Sequence, residues 1–225
     1  MSLGVDLDGE VRRVDPDRWL ASRFIADRER RADVVALYAF DHELARAESA
    51  ASKPLASEIR LVWWSEAVAE MVAGEPRRRH PVADALAVVI RKHELPVSSF
   101  ETMIEARIAA LGAQSLAEDA ALSWSWATQG NVAGLAARVL GAGDSAANAE
   151  PAGTVWGLQL LRRVKRSAGL ERLEIQTLSE ARETARKLPT AAFPAALVST
   201  LARADTPSGL EKRARLAWAA VTGKI

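Results

Sequence analysis

The chain has 225 residues, 49% of them hydrophobic and 26% charged, with a formal net charge of +1. That length and apolar content suit one folded domain with a sizeable core, and the balanced charge offers no field for attracting nucleic acid. The absence of cysteine excludes disulfides, thiolate metal sites and cysteine nucleophiles, and the three histidines (His42, His80, His93) are too scattered for a histidine metal site.

The opening MSLGVDLDGEVRR is polar and acidic and lacks the apolar stretch of a secretory signal. The expectation is a single domain over residues 1–225, with 1–14 a flexible N-terminus, in the cytoplasm. Strand patterns are nearly absent and helical periodicity recurs throughout. Asp15-Pro16 reads as an N-cap followed by proline at the first helical position. That helix would turn Trp19, Leu20, Phe24 and Ile25 inward. A second runs from Asp33 to Ser49, with Val34, Leu37, Tyr38 and Leu44 as its apolar stripe. Pro54 opens a third, expected to bury Ile59, Val62, Trp63, Ala67 and Met71, and Gly74-Glu75-Pro76 ends it. His80-Pro81 starts a fourth, to Lys92, and Ser98 a fifth, through Met103, Ile104 and Leu111.

A sixth helix, about Leu116 to Leu140, carries no charge from Ala120 to Ala137. Its polar residues, Ser123, Ser125, Thr128, Gln129 and Asn131, argue against a lipid-facing span and for a central helix packed on all sides. Gly130 and Gly134 share one face, which suits either close helix packing or a bare wall beside a long apolar ligand. A seventh helix spans Ala152 to Ser167, and Leu188-Pro189 and Phe193-Pro194 separate three last short ones. Arg77-Arg78-Arg79 reads as solvated loop surface. Arg162, Arg163 and Arg166 cluster on one side of the seventh helix, so that side reads as solvated surface or as a contact for an anion, an acidic partner or a membrane surface.

Three colinear segments resemble the squalene/phytoene synthase family. They are Arg31-Ala-Asp-Val-Val-Ala-Leu-Tyr-Ala-Phe40, the stretch from Gly74 to Leu86 with Leu95-Pro96 to Phe100, and Gly130-Asn-Val-Ala-Gly134-Leu-Ala-Ala-Arg-Val-Leu-Gly141. The resemblance implies an all-α isoprenoid synthase-type bundle around a central apolar pocket. It assigns to that pocket Tyr38, Phe40, Asp41, Leu44, Ala45, Gly130, Gly134, Gly157 and Leu160. It also implies prenyl diphosphate substrates, whose leaving group is neutralised by magnesium held on two aspartate clusters.

This chain departs from that pattern. Where the family reads Y-A-F-C-R-x-x-D-D-x-x-D, the chain reads Tyr38-Ala-Phe-Asp-His-Glu-Leu-Ala45-Arg46-Ala-Glu48-Ser49, which places Ala45, Arg46 and Ser49 at the aspartate positions. The segment expected to carry the second cluster has no acidic residue between Pro151 and Leu170 and holds Arg162, Arg163, Lys165 and Arg166. Tyr38-Ala-Phe-Asp-His-Glu-Leu-Ala-Arg46 is similar to a branch related to mitochondrial assembly factors of respiratory complex I. The resulting expectation is a non-catalytic protein with no metal cofactor, binding an isoprenoid or lipid or a protein partner in respiratory-complex assembly. The alternatives are a prenyltransferase using Asp41 and Glu48 as displaced magnesium ligands, and a peripheral membrane binder.

Overall fold

Helix-forming sequence and proline-marked breaks produce a bundle of helices, and the computed structural model describes residues 6–49, 54–74, 80–165, 168–202 and 209–225 of it. In chain order the helices are α1 (Leu7–Val14), α2 (Pro16–Ser22), α3 (Arg28–Ser49), α4 (Pro54–Ala73), α5 (Pro81–His93), α6 (Val97–Ala109), α7 (Glu118–Ser125), α8 (Asn131–Val139), α9 (Glu150–Lys165), α10 (Ala168–Ala185) and α11 (Gly209–Thr222). Two 3₁₀ segments, Gly143–Ala149 and Phe193–Leu201, join them, and the described residues contain no strand.

Three helices are central. Residues Val34 to Asp41 of α3, Asn131 to Ala137 of α8 and Ala152 to Gln159 of α9 are buried without interruption, which a helix achieves only when neighbours surround it. α3 packs against α8, and α8 against α9. Phe40 anchors the core, edge-on to Trp64 at 5.4 Å and to Phe100 at 5.6 Å between ring centroids.

Local sequence explains most boundaries. Asp15 caps α2 by accepting from the Arg18 N–H at 3.1 Å, with Pro16 at the first helical position. His80 Nδ1 accepts from the Val82 N–H at 3.3 Å ahead of Pro81. Gly74 takes φ +75° just after α4, a conformation that costs a residue with a Cβ but not glycine.

Several expectations require correction. Residues 7–14 are not a flexible tail. They form α1, which buries Val11 and pairs Asp8 with Arg31 of α3. On α4 the buried face is Ser57, Leu61, Trp64, Ala67, Val68 and Met71, so Ile59 and Val62 point outward, Ile59 being 62% exposed. The row Leu61-Trp64-Val68-Met71 satisfies the 3.6 period as well as the expected one, and only the neighbours α3, α5 and α6 select it. α10 is an 18-residue helix, not a short one. The long uncharged helix is interrupted: residues Trp126–Gly130 form one π-helical turn between α7 and α8. Such a turn inserts a residue into the helical repeat and re-aims the side chains beside it. Arg77, Arg78 and Arg79 lie outside the described residues.

Candidate functional site

A cavity of about 710 Å³ opens where α2, α3, α6, α9 and α11 approach one another. That volume lies within the usual range for small-molecule sites, about 300–1,000 Å³. Its apolar lining comes from Ala45, Leu111, Leu116, Leu160, Leu161 and the two indoles Trp124 and Trp156.

At one end of the cavity sits a buried charge network centred on Asp41, which is 2% exposed. Arg18 Nη2 donates to Asp41 Oδ2 at 2.5 Å, and Arg107 Nη2 donates to Oδ1 at 2.6 Å. Gln129 Nε2 lies 3.1 and 3.2 Å from the two oxygens and donates to both. Arg107 also donates through Nη1 to Glu48 Oε2 at 2.8 Å, and Arg18 through Nε to Asp15 Oδ2 at 2.5 Å. The guanidinium of Arg18 lies over the Tyr38 ring at 5.1 Å, and that of Arg107 over Trp124 at 5.5 Å. Burial alone would raise the Asp41 pKa, but the Arg18 and Arg107 charges and the Arg18 and Gln129 hydrogen bonds outweigh it and hold the carboxyl well below the usual carboxylate range. Burial pushes the Tyr38 hydroxyl up to about 12, against the pull of Arg18.

Each member of the network comes from a different element. Asp41 lies on α3, Arg18 on α2, Arg107 on α6, and Gln129 in the π turn. Reading the chain residue by residue misses three of these four. Arg107 does leave a signal: Phe100, Met103, Ile104 and Arg107 follow the apolar repeat of α6, so the arginine occupies a core position. It belongs to the set of largest fully buried side chains. A buried arginine must find anions, and Asp41 and Glu48, seven residues apart on one face of α3, supply them.

The expected pocket residues divide. Asp41, Ala45 and Leu160 line the cavity. Phe40 and Leu44 are fully buried in the core, and Tyr38 lies beneath Arg18. Gly130, Gly134 and Gly157 serve helix packing and do not line the cavity. A Cβ on Gly134 would meet the Glu150 side chain at 3.1 Å, and one on Gly157 the Ser125 Cβ at 2.8 Å. On Gly130 it would meet Thr154 Oγ1 at 3.0 Å. The expected basic cluster on α9 also separates: Arg162 turns to Glu174 of α10 (Nε to Oε2 3.3 Å), while Arg163 lines the cavity with its guanidinium 5.3 Å from the Trp156 ring centroid. Arg166 lies outside the described residues.

The positions that the resemblance assigns to the first aspartate cluster are also distributed. Ala45 and Ser49 line the cavity. Arg46 points away from it, its Nη2 donating to Glu43 at 2.6 Å on another face of α3. Magnesium needs several oxygen ligands in near-octahedral geometry. Asp41 spends both oxygens on two guanidinium groups and an amide, and Glu48 binds Arg107. Among the described residues no three acidic or histidine side chains converge as a ligand set. The described residues do not fit a magnesium site.

The helical bundle has the isoprenoid synthase-type fold, as its match to a solved structure shows. The squalene/phytoene synthase family profile matches residues 11–204, and the chain belongs to that family. The crystal structure of squalene synthase HpnC from Alicyclobacillus acidocaldarius superposes with a TM-score of 0.66 at 18% identity, covering 99% of this chain and 97% of that one. No curated protein gives a significant sequence match. Among the described residues no helix is long and apolar enough to cross a membrane.

Proposed function

We propose that this protein is a non-catalytic member of the squalene/phytoene synthase family that uses its cavity to hold an isoprenoid or another apolar lipid. The observation carrying this reading is the state of Asp41. Asp41, the most deeply buried carboxylate of the cavity lining, is neutralised from within the chain, by Arg18 and Arg107. In a prenyl diphosphate condensation, carboxylates at such a site must remain open to bind metal and so assist departure of diphosphate. Here the chain's own guanidinium groups occupy that place. Incubation with farnesyl diphosphate and magnesium, followed by assay of released diphosphate and hydrocarbon product, tests the proposal. The expected result is no turnover above a protein-free control, and magnesium-dependent turnover that falls with Glu48→Gln would refute it. Within the same proposal, the Tyr38-to-Arg46 pattern supports a role beside a protein partner in respiratory complex I assembly. Its test is loss of complex I activity in a deletion strain and recovery on re-expression.

A second reading, contact with an anionic membrane surface, is favoured by α11 rather than by α9. Leu210, Trp218 and Val221 are exposed on α11, with Arg213, Arg215 and Lys224 near them. An exposed apolar row with cations and tryptophan suits the headgroup region of a bilayer. Flotation with phosphatidylserine vesicles should fail for Trp218→Ser/Val221→Ser if this contact exists, and unchanged flotation would remove it.

A further inference from the structure

If the cavity holds an apolar ligand, its lining also restricts the ligand's head group. Four acidic residues line it, Asp15, Asp17, Asp41 and Glu48, and four basic ones, Arg18, Arg107, Arg163 and Lys212. Nearly all are paired with one another. Asp15 and Asp41 hold Arg18, Asp41 and Glu48 hold Arg107, and Asp17 accepts from Lys212 Nζ at 2.5 Å. Only Arg163 has no acidic partner among the described residues, and its guanidinium rests over Trp156. The described lining is therefore neutral overall, with four charges of each sign, and Arg163 is the cation that can meet a ligand directly. A diphosphate brings more than one negative charge, and the surplus would face four carboxylates already in place.

The head group also has to reach its partner, and Arg163 is exposed on the lining while Arg18 and Arg107 are buried among their carboxylates. A carboxylate supplies two acceptor oxygens and a single charge, which one guanidinium matches.

We infer that the cavity takes an apolar monocarboxylate, with its head group toward Arg163 and Trp156 and its chain along Leu111, Leu160 and Leu161, and that it discriminates against a diphosphate. This rests on the proposed lipid-holding role of the cavity. Farnesoic acid, farnesol and farnesyl diphosphate share one chain and differ in the head, and dodecanoic acid offers the same head on a straight chain. Titration of the wild-type protein with each, followed by tryptophan fluorescence and calorimetry with and without magnesium, separates the cases. At least one of the two acids should bind tenfold or more tighter than farnesol and the diphosphate. Arg163→Gln should weaken the acid tenfold or more and leave farnesol unchanged. Arg163 is exposed, so that variant should keep the wild-type melting temperature. Farnesol or the diphosphate binding tightest would overturn the head-group inference and leave the lipid-holding role standing. Binding of none of the four would overturn both.

Discussion

Replacement of Asp41 by asparagine distinguishes a structural charge network from a residual metal site by the sign of its effect. Both Asp41 oxygens accept from cations, so an amide NH2 at either place sets donor against donor, facing Arg18 at one oxygen or Arg107 at the other. At an effective dielectric of about 20, a unit charge pair 4 Å apart is worth about 4 kcal/mol. Removing one partner of a buried ion pair costs about 3–5 kcal/mol, because the remaining charge stays desolvated. Arg18 keeps Asp15 and Arg107 keeps Glu48, so the loss should fall near the lower end, about 3 kcal/mol. With a urea slope of about 3 kcal/mol per molar for a chain of this size, the midpoint should fall by about 1 M. Urea titration followed by tryptophan fluorescence at pH 7 is the assay. Glu101→Gln, on the exposed side of α6, is the control and should stay within about 0.5 kcal/mol. If Asp41 and Glu48 were instead poised as mutually repelling metal ligands, Asp41→Asn would stabilise the metal-free protein. A midpoint unchanged or raised would therefore refute the network argument.

Three further outcomes follow from the same structure. Because the folded-state pKa of Asp41 is depressed, its stabilisation is fully present above the unfolded value of about 4 and is lost as pH falls below it toward the folded value; Asp41→Asn should flatten this acid limb in urea titrations between about pH 5 and 2, and an unchanged limb would contradict the assignment. Tyr38 is the sole tyrosine, so absorbance at the phenolate band should report a midpoint near about 12 in the folded protein and near 10 in urea, and a folded midpoint near 10 would show that the ring is not buried under Arg18. Gly153→Ala should cost about 1–3 kcal/mol, since the added Cβ would strike the Gln129 carbonyl oxygen and sit 2.7 Å from the Ala133 Cβ, whereas Gly209→Ala, with nothing within 4 Å, should leave the melting temperature unchanged or slightly higher.

The primary structure alone determined the helical class, most helix starts and the burial of residues 127–137 of the uncharged segment, because caps, prolines and the 3.6 repeat act over a few residues; the same reading failed for residues 120–126, where Ala120, Ser123 and Trp126 are exposed. It also placed Asp41 and Glu48 on one face. Where two rows of α4 fitted that repeat equally, as with Ile59 against Leu61, sequence could not choose, and the neighbouring helices did. The glycines show the same limit: Gly134 shares a helix face with Gly130 by spacing, but whether that face meets a ligand or Glu150 depends on what packs there. The fate of Asp41 was decided entirely in three dimensions. Its partners Arg18, Arg107 and Gln129 lie 23, 66 and 88 residues away along the chain. A carboxylate is a metal ligand or half of an ion pair according to which charges reach it, and local periodicity describes only its own helix. Four elements had to converge before Asp41 could be read as neutralised from within.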